Sequence, residues 1–295
     1  MRFFILALCF LPFVLQAKTL KIGGKNFTEQ MLLASMTSQY LAKQGYKIDL
    51  KTGLGTLLMR QALEERQLDI VWDYTGTALI VYHHVEEKMT GKASYDLAKK
   101  LDEPKGLIWL EPSELDNGYA LTMQGEVAKR LNIDTIEDLA RYIKTRQKEE
   151  PRKRNLFAVD FEFASRPDGL KPLQKAYDFE FKRRDIKQMD PGLVYTALKN
   201  GQVIVGLAFA SDGRISGFNL KVIKDNRNFF PSYYVTAVVR KEVLDQNPGL
   251  AKYLNTLASK LDTPTMTDLN RRVDIDHESI ERVAKDFLMK QGLLP

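Results

Sequence analysis

Cysteine is almost missing: Cys9 is the only one in 295 residues. It lies within residues 3–15, an apolar run that follows basic Met1-Arg2 and ends at Leu15-Gln16-Ala17. That pattern reads as a cleaved secretory signal covering residues 1–17, because the run is too short to span a bilayer as a helix. Leu8 is bulky where a lipoprotein cleavage site needs a small residue, which argues against a lipid anchor on Cys9. The mature chain is then expected in the periplasm with no disulfide, and at this length it needs none. No later apolar run approaches the ~20 residues of a membrane-spanning helix, so the mature chain is expected to be soluble.

Other absences remove whole classes of chemistry. The three histidines, His83, His84 and His277, have no cysteines to join them in a metal site. His83 and His84 point apart on a helix, so a surface or core role is expected. Gly24-Lys25 lacks the upstream glycine of a phosphate loop and is followed by Asn26 rather than Ser or Thr. Gly53-x-Gly55 has Leu58 where a third glycine belongs. No G-x-S-x-G element occurs, and nothing pairs a nucleophile with a base at a recognisable spacing. Charge of one sign is nowhere concentrated. The formal charge is +6, or +5 without Arg2, and the densest run, residues 144–154, mixes signs around Pro151. A solvated loop is expected there, not a nucleic-acid surface. No catalytic residue, metal or cofactor is expected.

What is present is ordinary globular composition, 44% hydrophobic and 28% charged, with strand-like and helix-like segments in alternation. Residues 19–22, 46–52 and 69–72 read as strands separated by helices. Asn26 and Glu29 fit a capping box before the helix that holds Leu32, Leu33, Met36, Tyr40 and Leu41 at helical spacing. Strands are expected at 108–110, 119–123, 157–159, 203–209, 220–223 and 235–239, and a mainly helical stretch from Lys241 to the end. Such alternation predicts an α/β fold with a mostly parallel sheet covered on both faces.

The chain is organised around residues 71–79, Val-Trp-Asp-Tyr-Thr-Gly-Thr-Ala-Leu, a buried strand running into a turn and a helix. Asp73 and Thr75 suit a turn or cap, and Gly76 allows close backbone approach. A tyrosine at the carboxyl end of a strand stands where open α/β sheets hold ligands. Taken alone, Tyr74 reads first as a strand-end core residue. Lys25, Tyr119, Arg166, Tyr195 and Phe218 fall at comparable loop positions. Together these residues supply ring faces for a bulky cation and cationic groups for a carboxylate.

Five blocks then occur in a familiar order: residues 23–30 (GGKNFTEQ), 53–56 (GLGT), 73–77 (DYTGT), 165–169 (SRPDG) and 228–231 (NFFP). With them the chain, from about Thr19 to its end, resembles the substrate-binding proteins of osmoprotectant ABC importers. That resemblance implies a two-lobed, type II periplasmic-binding fold with two hinge crossovers. Residues 18–117 and 220–295 would form the first lobe and residues 118–219 the second. Tyr74, Tyr119, Tyr195 and Phe218 would form an ammonium cage, with Lys25, Thr77 and Arg166 at the ligand's polar end. Phe218 stands where relatives usually carry Tyr, Asn117 where some carry a carboxylate, and Gly23 where many carry Ser. The implied protein is a monomeric, non-enzymatic receptor that carries glycine betaine, choline or a related quaternary amine to a membrane permease. A receptor for an amino acid or other small zwitterion, and an enzyme on the same scaffold, are the alternatives.

Overall fold

The structure, a computed structural model, describes residues 19–89, 91–152, 154 and 156–295. The expected signal, residues 1–17, lies outside the described residues. Ten strands form two separate five-stranded sheets. The first contains β1 (Thr19–Lys25), β2 (Lys47–Leu54), β3 (Ile70–Tyr74) and β4 (Leu107–Asp116). The second contains β5 (Tyr119–Gln124), β6 (Phe157–Val159), β7 (Ile186–Gln188), β8 (Val205–Phe209) and β9 (Leu220–Ile223). The chain then returns to the first sheet as β10 (Tyr234–Arg240), giving the orders β2-β1-β3-β10-β4 and β7-β6-β8-β5-β9.

Each sheet is half parallel, not mostly parallel. β1 runs parallel to β2 and β3, while β10 pairs antiparallel with both β3 and β4. In the second sheet β6 is parallel to β7 and β8, and β5 is antiparallel to β8 and β9. The antiparallel members are the strands at which the chain passes from one sheet to the other. A crossing strand arrives from the far side and cannot repeat the right-handed crossover of a βαβ unit.

Residues 220–223 form a strand as expected, but they belong to the second sheet. Leu121 pairs with Ile223 and Gln124 with Leu220, and Gly125 N–H donates to Asn219 O at 3.0 Å. The second sheet thus continues past residue 219, and residues 224–233 lead from it back to β10 of the first sheet.

The central strands β1, β3 and β10 of the first sheet are buried on both faces. One face packs on helix Thr28–Lys43 and the C-terminal helices Leu250–Ala258, Thr263–Asp274 and Ile280–Lys290. Trp72 is wholly buried in that layer and donates its indole N–H to Thr37 Oγ1 at 2.8 Å, which satisfies its one polar atom. The second sheet likewise separates two apolar layers, one around Phe157, Phe163 and Leu121, the other around Val194, Tyr195 and Leu198. Each such side chain contributes about 1.5–3 kcal/mol by leaving water. Two independent cores joined by two short crossovers form two lobes with a cleft between them.

The expected capping box at Asn26 and Glu29 is not formed. Phe27 occupies the cap position of helix Thr28–Lys43 without a side-chain bond, and Glu29 is drawn into the protein interior instead. A capping box does form at helix Ile136–Glu149, between Thr135 and Asp138.

Candidate binding site

The corner after β3 is built as a contact between distant segments. Asp73 Oδ1 accepts from Lys25 Nζ at 2.9 Å and from the Tyr74 N–H at 2.9 Å, and Oδ2 accepts from the Tyr82 hydroxyl at 2.8 Å. Asp73 thus neutralises a buried lysine as well as holding the turn. The chain continues as one α turn, Thr75–Thr77, and then a wide π turn, Ala78–Tyr82, a distortion that often marks functional sites. At Gly76 an added Cβ would lie 2.8 Å from the Tyr233 ring and 2.9 Å from Ser232 O. Only glycine admits the returning crossover at this distance.

That close approach brings Tyr233 to the wall of a cleft between the lobes. The first lobe contributes Lys25, Phe27, Thr56, Tyr74 and Thr77; the second contributes Asp160, Glu162, Arg166 and Phe209. Asn117, Tyr119 and Tyr233 come from the crossovers or their edge. The rings are continuous. Phe27 stacks between Tyr74 (6.3 Å between centroids) and Phe209 (4.9 Å), and Tyr119 lies 5.5 Å from Phe209 and 5.3 Å from Tyr233.

Of the eight residues expected here, six line the cleft: Lys25, Tyr74, Thr77, Asn117, Tyr119 and Arg166. Tyr195 and Phe218 do not. Tyr195 is 1% exposed, inside the second lobe; its hydroxyl accepts the Phe209 N–H at 2.9 Å and the Arg214 guanidinium covers its ring at 4.2 Å. It faces inward because helix Pro191–Lys199 turns that side onto the sheet. Phe218 caps the end of the short helix Arg214–Gly217 beside edge strand β9, with Lys199 Nζ over its ring at 4.4 Å. The cleft rings in their stead are Phe209, Tyr233 and Phe27. A signal for each was available: Phe209 ends a buried strand as Tyr74 does, Tyr233 follows the NFFP block, and Phe27 lies within the GGKNFTEQ block.

The cations of the cleft are already paired. Arg166 donates through Nε and Nη2 to Asp168 at 2.7 and 2.8 Å, and Asp168 also accepts the Tyr233 hydroxyl. The Arg166 guanidinium stands 5.4 Å from the Tyr119 ring centroid and 5.9 Å from that of Tyr233. Two acidic residues of the second lobe, Asp160 and Glu162, face the same space. Burial pushes the Asp160 carboxyl up to about 6, against the Phe163 N–H that bonds it.

Behind the rings, Glu29 ties both lobes and one crossover together. Its Oε1 accepts from the Tyr74 hydroxyl at 2.7 Å and Asn117 Nδ2 at 3.0 Å, and Oε2 accepts from Ser211 Oγ at 2.5 Å. Burial raises its carboxyl to about 7, opposed by those three donors, and the nearby charge of Asp212 raises it further. The folded protein therefore binds this proton more tightly than the unfolded chain, in which the group titrates near 4.5. Its contribution to stability is full below about pH 4.5 and is lost as pH rises through about 7. Wild type is expected to lose on the order of 3 kcal/mol across that window relative to Glu29→Gln. Denaturant unfolding of both proteins at matched pH measures it; parallel pH profiles would show that folding leaves the proton affinity of Glu29 unchanged.

Among the described residues, no group of three or more His, Cys, Asp or Glu is placed to hold a metal ion. His83 Nε2 lies 2.7 Å from Asp102 in a buried network that also holds Arg60 and Trp109. That is a core role. No helix of the described residues is long and apolar enough to cross a membrane.

Residues 18–290 match the family described as the substrate binding domain of ABC-type glycine betaine transport systems, named OpuAC. The chain belongs to that family. The chain is 50% identical, over 95% of its length and 90% of the relative's, to a glycine-betaine-binding protein of Pseudomonas aeruginosa. It is 33% identical to the carnitine transport binding protein OpuCC of Listeria monocytogenes, with 93% and 87% covered. A crystal structure described as a glycine betaine/carnitine/choline ABC transporter superposes with a TM-score of 0.73 at 28% identity, covering 93% of this chain and 99% of that one. This substrate-binding domain therefore has the two-lobed fold of its relatives, and its aromatic cleft lies where the two lobes meet.

Proposed function

We propose that the protein is an exported receptor that captures a quaternary-amine osmoprotectant, such as glycine betaine or choline, and delivers it to the permease of an ABC importer. The observation that carries this reading is the row of rings, Tyr74, Phe27, Phe209, Tyr119 and Tyr233, along one interlobe cleft. A trimethylammonium head has no N–H to donate, so ring faces are the natural way to hold it. Tyr74, Tyr119, Phe209 and Tyr233 form the cage in this reading. Lys25, Thr77 and Arg166 meet the polar end of the ligand, and Asn117 fixes the crossover beside it. The protein acts by closing around its ligand and opening on the permease, with no catalytic step. The lobes divide as residues 19–116 with 234–295 and residues 119–223. Export follows from the expected signal and from relatives that serve importers.

Isothermal calorimetry of the mature protein with glycine betaine, choline and carnitine tests the reading. One saturable site for at least one of the three is expected, with the ligand recovered unchanged. No binding of any of them, with tight binding of an unmethylated amino acid, would transfer the cleft to another class of zwitterion.

A further inference from the structure

Helix Thr56–Glu64 begins without a cap of its own. Its N-cap is Gly55, extended at φ −72° and ψ 157°, with no side-chain oxygen to accept the free N–H groups of the first turn. The acceptor comes from the other lobe. Glu162, just beyond β6, takes the Thr56 N–H on Oε1 and the Thr56 hydroxyl on Oε2, both at 2.7 Å. Its charge also faces the positive end of the helix. Thr56 and Glu162 both lie on the wall of the cleft, so the bond spans the cleft itself.

We infer that Glu162 is a positioning residue, an interlobe latch that caps this helix in trans only when the lobes are closed and so sets how slowly ligand leaves. The inference rests on the receptor reading above. When the lobes separate, the helix loses its cap and Glu162 loses both donors, so opening costs two charge-assisted bonds. The latch is made of protein groups alone. It should therefore act equally on a zwitterion and on a simple cation, unlike a residue that touches the ligand carboxylate.

Stopped-flow kinetics with glycine betaine and choline, on full-length mature protein, test it. Glu162→Gln is expected to raise the dissociation rate of both ligands about tenfold and to change association by no more than about twofold. Gly55→Asp is the second variant. Its Cβ would meet Glu162 Oε1 at 3.6 Å, so the new carboxylate caps the helix locally and repels Glu162. It should raise both dissociation rates while leaving the ligand-free melting temperature unlowered. Unchanged dissociation in both variants, or a loss confined to glycine betaine, would overturn the latch. Wild type that binds neither probe would instead sink the receptor reading on which the latch depends.

Discussion

Leucine in place of Tyr119 is expected to weaken glycine betaine and choline alike, by about thirtyfold, with the ligand-free protein still folded. Tyr119 is the central ring of the cleft, 5.1 Å from Phe163, 5.5 Å from Phe209, 6.2 Å from Phe230 and 5.3 Å from Tyr233. Leucine keeps apolar bulk among these neighbours and removes the π face. A desolvated cation–π contact is worth up to about 2 kcal/mol, which converts to about thirtyfold. Both ligands share the trimethylammonium head, so both should lose the same amount in calorimetric titrations. Tyr195→Leu should behave in the opposite way. It leaves the Phe209 N–H without its acceptor inside a packed core, so the melting temperature falls while affinity moves by about threefold or less. A Tyr119→Leu protein with unchanged affinity and lowered stability would make Tyr119 a core residue and move the cation elsewhere.

The contrast between those tyrosines marks how far the sequence could be read. The corner at residues 71–77 was legible because its signals are local: a buried strand, a turn-forming Asp, and a glycine before a helix. The strand at residues 220–223 was legible as a strand, yet not as a member of the second sheet. Its partner, β5, lies about a hundred residues earlier, and periodicity carries no information about pairing at that distance. The same limit separates Tyr195 from Phe209. Both are aromatic and near strand or helix ends, and only packing decides which ring faces the cleft. The spacing of Glu29 from Asn26 fits a local cap. Its real partners, Tyr74, Asn117 and Ser211, belong to three other parts of the chain. Four polar groups buried together can satisfy one another, and that outcome competes with a cap in a way no short window can weigh.

Arg166→Ala is expected to separate the two ligands that Tyr119→Leu treats alike. The guanidinium lies beside Tyr119 and Tyr233, at the end of the ring row, and two of its donors hold Asp168. A ligand carboxylate lying against the same guanidinium would make charge-assisted bonds worth about 2 kcal/mol where water is excluded. Glycine betaine should therefore weaken about thirtyfold in this variant, and choline, which has no carboxylate, by about threefold or less. Among the described residues, the substitution also leaves buried Asp168 with the Tyr233 hydroxyl as its remaining hydrogen-bond donor. Stability should fall by about 3 kcal/mol or more, because an unpaired buried carboxylate is costly. That loss belongs to the protein and is the same whichever ligand is titrated. The difference between the two ligands thus isolates the carboxylate contact from the damage to the fold. Equal losses for both would mean that Arg166 serves Asp168 and Tyr233 alone, and that the anionic end of the ligand rests on Lys25 and Thr77.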